Sequence, residues 1–355
     1  MTADPPTGAT RAGVRVFAIS PRDHDPATAW TAVETTIHLA DRYGFTGVLA
    51  HVGNDTLVEP WTVAHHALAT STALRPLIAV NPVYQHPFAT AQLAASLTYR
   101  YQRPLLLNLV AGTSVPDRLA LGDTTEHDDR YARLCEYAEI VFALLEGGTP
   151  VTRQGRFYQV RGARLRLPPA AELRPQAFVA GESAAAQECA RALGADQIGM
   201  FRPRPQSVSP GGRTGRYAGM IARETDDQAW RAALRRYPVA PELEAAGAAA
   251  LRYTDATWRH RAFGEAAAAD ATPSWFWSAP MRSLRADCPF LVGGVDTLAA
   301  VLAAEMTTGV DTFILDLAAA EEDFRWAAQV LDSAGAVVHR AAPARSSTSG
   351  SVGLQ

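Results

Sequence analysis

Four pieces of one segment decide the fold: PLLLNLVAGTS (104–114), HDDRYARLCEYAEIVFALL (127–145), FYQVRGARLRLPP (157–169) and QAFVAGESAAAQECARALGADQIGMF (176–201). They read in order as strand, polar loop, amphipathic helix, hairpin, strand, helix, strand. Two of the strands run into turns that contain glycine and a hydroxyl, at Gly112–Thr113 and at Gly181–Ser183. Strand exits of this kind are where an α/β barrel binds a phosphorylated ligand, because backbone amides at the start of the next helix favour an anion. The intervening helix carries His127 and Tyr131 at its start, one turn apart on the same face.

The same unit repeats on both sides. Short apolar runs at Val14–Ile19, Gly47–Ala50 and Leu77–Val80 precede helical stretches near Thr28–Tyr43, Glu59–Ser71 and Pro87–Tyr101. Leu105–Val110, Ala177–Ala180, Gln197–Phe201, Tyr217–Ala222 and Thr312–Leu315 complete a set of eight strands. Each is nearly continuous in apolar residues, as expected of a parallel sheet buried on both faces. The fold class is therefore α/β, a (β/α)8 TIM barrel. In the helix at 128–146, Tyr131, Leu134, Cys135, Ala138, Val141, Phe142 and Leu145 share one face, with Asp129, Arg133, Glu136 and Glu139 opposite. Thr125, with Asp128 three residues on, suits its start.

Two insertions interrupt the repeat. Gln154–Pro169 alternates and reads as a hairpin after the fourth helix. Residues 241–291, ending in PSWFWSAPMRSLRADCP, precede the eighth strand and read as a lid, since long insertions at the catalytic end of a barrel commonly are. A single domain over 14–340 results, with residues 1–13 and the Ser- and Gly-rich 341–355 read as disordered.

Composition removes whole classes of function. The chain has 355 residues, 48% apolar and 19% charged, and a net charge of −3, which gives no electrostatic case for nucleic acid. All 33 basic residues are arginine. Without a lysine amine, Schiff-base aldolases, pyridoxal-phosphate enzymes and Walker-type phosphate loops are excluded. HExxH, CxxC and HxH spacings are absent, so the common metal-hydrolase layouts lack support and no metal is expected. Three widely spaced cysteines argue against a disulfide framework. No apolar run reaches the roughly 18 residues of a membrane helix, and the first residues lack a signal peptide's apolar core, so a cytoplasmic location is expected.

Taken together, DRYGFTGVL (41–49), LLNLVAGTS (106–114), HDDRY (127–131), the hairpin (157–169), AGESAAAQE (180–188) and LVGGVDTLAAVLAAEMTTGVDTFIL (291–315) resemble the bacterial luciferase-like flavin monooxygenases, most closely the alkanesulfonate branch. The resemblance implies a barrel that binds reduced FMN, delivered by a separate NAD(P)H:FMN reductase, and activates O2 at the flavin. It also implies assembly as a homodimer or homotetramer. Asn108, Val110, Ala111 and Gly112 would then lie against the isoalloxazine ring. Gly181, Ser183 and Ala184 would receive the phosphate, and His127 and Tyr131 would contact the flavin as their family equivalents do.

On the substrate side, His24, His51, Asn54, Asp55 and His86 follow the first three strands, with His51 the preferred acid–base residue and Asn54 and Asp55 substrate contacts. Arg282 and Arg285 fall in the lid, where sulfonate enzymes carry a mobile anion-binding arginine. Trp275 and Trp277 point to a larger, more apolar substrate. The departures are concentrated here. HVGNDTLVEPW (51–61) lacks the branch's cysteine; Tyr217–Ala218–Gly219 replaces its Arg–x–His, and Ala318 its tyrosine. The expected activity is oxygenation of a small organic substrate other than a simple alkanesulfonate, with a natural-product intermediate in view. A deazaflavin-dependent oxidoreductase and a non-catalytic flavin-binding protein are the alternatives.

Overall fold

The structure is a computed structural model that describes residues 13–22, 25–204, 214–267 and 273–341. The two terminal stretches expected to be disordered lie almost wholly outside the described residues, as does His24. In chain order the elements begin β1 (Arg15–Ile19), α1 (Ala29–Arg42), β2 (Gly47–Ala50), α2 (Pro60–Thr70), β3 (Leu77–Val80), α3 (Pro87–Tyr101), β4 (Leu106–Leu109), α4 (Val115–Ala120) and α5 (His127–Glu146). The hairpin strands β5 (Val151–Gln154) and β6 (Gln159–Ala163) follow, then β7 (Gln176–Ala180), α6 (Ala184–Leu193), β8 (Asp196–Met200), β9 (Thr214–Arg223) and α7 (Asp226–Arg236). The last third comprises α8 (Pro241–Ala250), α9 (Thr257–Ala267), β10 (Phe276–Trp277), α10 (Ala279–Arg282), β11 (Phe290–Gly294), α11 (Val295–Thr307), β12 (Val310–Asp316) and α12 (Glu321–Ala341).

Parallel pairing runs β1–β2–β3–β4–β7–β8–β9–β12 and returns to β1, closing an eight-stranded barrel. Alternate side chains divide the apolar residues between two environments. Phe17, Ile19, Leu49, Leu77, Leu106, Phe178, Ile198 and Ile314 fill the interior. Val16, Ala18, Val48 and Leu315 face outward to the helices. Arg15 closes the lower end, bonded to Asp196 at 2.7 Å and Asp311 at 3.0 Å. The opposite end, where the strands give way to loops, is open to the site.

One strand departs from the expected pattern. β9 has ten residues, about 33 Å of extended chain. Its first half sits in the barrel between β8 and β12, while Gly219–Arg223 pairs in parallel with β11. β10 adds antiparallel to β11. A Cβ at Gly219 would meet the Phe290 ring at 2.4 Å, so this crossing needs glycine. Much of the segment 276–294 is therefore a sheet extension, because the exposed edge of a strand that overshoots its barrel must find partners for its backbone.

Helix α5 also differs from its periodic reading. Its N-cap is Glu126, because Thr125 bonds to Asp123 instead. Glu136, placed on the polar face by sequence, is buried, and so is Arg130. The reason is the hairpin: the Glu136 carboxylate accepts the backbone amides of Phe157 and Tyr158 at its tip. A Cβ at Gly155 would fall 1.8 Å from Glu136 Oε1. The Gly155→Ala variant is expected to lose about 1–3 kcal/mol, as overpacked sites do, measured by urea unfolding against the parent protein.

The loop before α5 is held by Asp123. Burial alone would raise its pKa, but hydrogen bonds from Arg133 and Thr125 hold the carboxyl well below its ordinary value. A depressed pKa contributes stability that is present above the unfolded value, about 3.9, and is lost as pH falls below it. Asp123→Asn should cost about 1.5–3 kcal/mol at neutral pH. The gap between the unfolding curves of variant and parent should close as pH drops through about 4 and below. A gap that stays constant down to acid pH would show that the ionised carboxylate contributes nothing.

Candidate functional site

A cavity of about 490 Å³ opens at the C-terminal ends of the barrel strands. One side is built from β4, α5 and β7. Asn108, the third residue of β4, is 7% exposed, and its amide oxygen is buried without a hydrogen-bond partner. An unpaired buried carbonyl costs about 1–3 kcal/mol, so this atom is set to receive a donor. Val110, Ala111 and Gly112 continue the wall. Gly112 has φ +80°, and a Cβ there would press on the Asn81 amide at 3.0 Å.

Across from this wall, Gly181 leaves β7 with φ +132°, a conformation that side chains rarely adopt. A Cβ there would lie 2.2 Å from the Tyr131 hydroxyl. That hydroxyl donates to the Ala180 carbonyl at 3.1 Å. Burial pushes the Tyr131 pKa up to about 12, so it remains a neutral donor. Ser183 caps α6 by accepting from the Ala186 amide, and the first amides of that helix point toward the same cradle. His127 completes the edge, with Nδ1 bonded to Asp128 at 2.7 Å and its ring centroid 5.3 Å from that of Tyr131. Ala184 begins α6 and does not line the cavity.

The charge of this half is set by arginines. Arg130 (1% exposed) donates to Asp255 and to the Thr125 carbonyl, and Arg118 reaches the same two groups. Two guanidiniums thus share one carboxylate beside the Tyr131 cradle, which favours an incoming anion. Asp255 also starts the roof. Thr254 donates to the Thr113 carbonyl at 3.2 Å, and Arg261 of α9 pairs with Glu182, which Arg202 also holds. Trp258 and Arg259 thereby sit over the cavity.

The other half collects residues from distant parts of the chain. His51 lies just past β2, with Nδ1 3.0 Å from the hydroxyl of buried Ser20. Arg22 and Arg259 converge on Asp287, and Asp55 lies at the mouth. Tyr217 lines the floor beside Cys288, whose sulfur is 4.0 Å from Asp316. Burial raises the pKa of both Tyr217 and Cys288, keeping them protonated.

Several sequence-derived candidates lie elsewhere. Asn54 is a loop fastener, donating to the Asp117 carbonyl at 3.0 Å and accepting from the Tyr84 hydroxyl at 2.6 Å. His86 caps α3. Arg282 pairs with Glu244, and Arg285 donates to the Pro238 carbonyl and covers the Tyr237 ring. Trp277 packs on Trp230 and Tyr237, and Trp275 on Phe201. These four follow the sheet extension away from the cavity, because β10 and α10 belong to it. The aromatic over the cavity is Trp258, in a stretch whose sequence gives no distinguishing signal. Ser20 and Arg22 were within reach of the rule that sites follow strand ends; Tyr217 was not, since it lies inside β9.

The family model described as luciferase-like monooxygenase matches residues 12–198, more than half of the chain. Among characterised proteins, the 4-(gamma-L-glutamylamino)butanoyl-[BtrI acyl-carrier protein] monooxygenase BtrO of Niallia circulans is 28% identical over 300 residues, covering 81% of this chain and 86% of the relative. Two solved structures share the fold. EDTA monooxygenase from Chelativorans sp. BNC1 superimposes with a TM-score of 0.68 at 12% identity, covering 93% of this chain and 94% of its own. The oxygenating constituent of 3,6-diketocamphane monooxygenase from Pseudomonas putida, solved with FMN, gives 0.66 at 15%, covering 93% and 99%. The chain belongs to the luciferase-like monooxygenase family and is a flavin-dependent monooxygenase.

Proposed function

We propose that the protein uses reduced FMN and O2 to oxygenate a small organic substrate, with the cofactor supplied by a separate NAD(P)H:FMN reductase. The observation that carries this reading is the unpartnered, buried amide oxygen of Asn108, a residue in the wall of a cavity whose far edge is the Gly181–Tyr131–Ser183 cradle. A flat ring bearing N–H donors and an anionic tail fits both ends. The α6 amides, Ser183, Tyr131 and His127 would hold the phosphate, assisted by the shared positive charge of Arg118 and Arg130. Asn108, Val110, Ala111 and Gly112 would lie along the ring. When bound, reduced flavin supplies the electrons that activate O2.

This chain's own residues do the rest. Trp258 and the pinned segment 254–261 keep water from the cavity. His51, oriented by Ser20, holds or moves a proton at the substrate side. The loss of the sulfonate branch's cysteine, arginine and histidine argues for a substrate other than a simple alkanesulfonate. The Niallia circulans relative's named substrate puts carrier-tethered acyl amides among the first compounds to assay.

Tryptophan-fluorescence titration with reduced FMN tests the cofactor half. Gly181→Ala should weaken binding by about 10–100-fold, the equivalent of about 1.4–2.8 kcal/mol, because the new methyl displaces the Tyr131 hydroxyl. Asn108→Leu should weaken it by roughly tenfold by removing the acceptor. Unchanged affinity in both variants, or tighter binding of deazaflavin than of FMN by the parent protein, would sink the FMN assignment.

A further inference from the structure

Helices α5 and α6, whose first turns form the phosphate cradle, pack directly against one another. Each contributes one cysteine to that interface. Cys135 stands one turn beyond Tyr131 on α5 and is half-buried; Cys189 lies on α6, six residues beyond Ser183, and is 2% exposed. Both thiols are free, and they are neighbours in the apolar packing between the two helices. Around them are Leu134, Ala138, Ala186 and Ala190, an apolar shell that gives the pair no other evident task. The third cysteine, Cys288, is fully buried on the opposite side of the barrel axis, beside Tyr217 and Asp316.

We propose that Cys135 and Cys189 form a peroxide-sensitive thiol pair that closes into a disulfide and, by moving α5 against α6, weakens the cofactor cradle. The oxidant is hydrogen peroxide, which a flavin monooxygenase releases when activated oxygen is lost before it reaches substrate. Cys135 is the accessible partner, and the neighbouring Cys189 thiol favours its thiolate, holding its pKa below the ordinary thiol value. The Cys135 thiolate attacks one peroxide oxygen and breaks the O–O bond. The released hydroxide takes up the thiol proton and leaves as water, with Cys135 as a sulfenic acid. The Cys189 sulfur then attacks the Cys135 sulfur and expels hydroxide, which takes up the Cys189 proton to give a second water. Two thiols lose two electrons in all, and one peroxide is reduced to two waters.

The consequence follows from position. A disulfide draws the sulfurs closer together than neighbouring thiols stand, and in this proposal the part of the closure that side-chain rotation does not take up moves α5 against α6. Tyr131, on the turn before Cys135, has no slack: its hydroxyl is bonded to the Ala180 carbonyl and abuts Gly181. Uncoupled turnover would thus release the flavin that produces the peroxide. The effect on flavin rests on the cofactor reading above; formation of the disulfide does not.

The test treats the full-length, reduced protein with hydrogen peroxide, maps disulfides by mass spectrometry of unreduced peptides, and titrates FMN before and after. A Cys135–Cys189 crosslink is expected, with Cys288 still a thiol. FMN affinity should fall roughly tenfold on oxidation. Dithiothreitol should restore it, and Cys135→Ser and Cys189→Ser proteins should show no change on peroxide treatment. Failure of the crosslink to form, oxidation of Cys135 to sulfinic acid in its place, or a crosslinked protein with unaltered FMN affinity would overturn the proposal. If the reduced protein binds no FMN, the cofactor reading fails, and peptide mapping still decides whether the thiol pair exists.

Discussion

A buried arginine fixes the geometry of the site. Arg130 occupies the first turn of α5 with 1% of its side chain exposed, a position a guanidinium can hold only if its charge is met. The Thr125 carbonyl meets part of it, and Asp255, 125 residues away, meets the rest. Removing one partner from a buried ion pair costs about 3–5 kcal/mol, so the pair does not open lightly. It draws the segment before α9 onto the β4–α5 wall, and Trp258 follows over the cavity. Arg118 shares Asp255, which leaves the pair short of negative charge on the side of the Gly181–Tyr131 cradle. One interaction therefore places the roof and biases the field beneath it.

How much of this the sequence discloses depends on how local each feature is. β2, β3 and α3 have the bounds that apolar runs and an N-terminal proline indicate, since a strand buried on both faces and a helix opened by Pro87 announce themselves in a few residues. The hairpin is legible only in part: alternation points to 154–169, whereas its strands are β5 (Val151–Gln154) and β6 (Gln159–Ala163), the first almost wholly outside that stretch. β9 is not: its barrel half and its outer half are equally apolar, and nothing in TGRYAGMIAR states that the second half changes partners. Trp275 and Trp277 misled for the same reason. Their aromatic character required burial, but against α7 and Phe201 and not against a ligand. Periodicity assigned Glu136 to the polar face because a helical wheel cannot register a hairpin returning to cover it.

The same distinction separates the two halves of the cavity. The proposed cofactor half draws on 108–118, 127–131 and 180–183, short stretches in which a positive-φ glycine, a helix cap and an aromatic are each required by local geometry. A phosphate and a planar ring impose the same demands whatever is being oxidised, so that pattern survives in sequence as a recognisable order of motifs. The proposed substrate half joins Ser20, Arg22, His51, Tyr217, Trp258 and Asp287, spread over most of the chain and brought together by barrel closure and by the Arg130–Asp255 pair. Its one common requirement is exclusion of water, which many residue sets satisfy. Where the physical demand is strict, the sequence is readable; where it is permissive, only the folded arrangement shows which side chains meet.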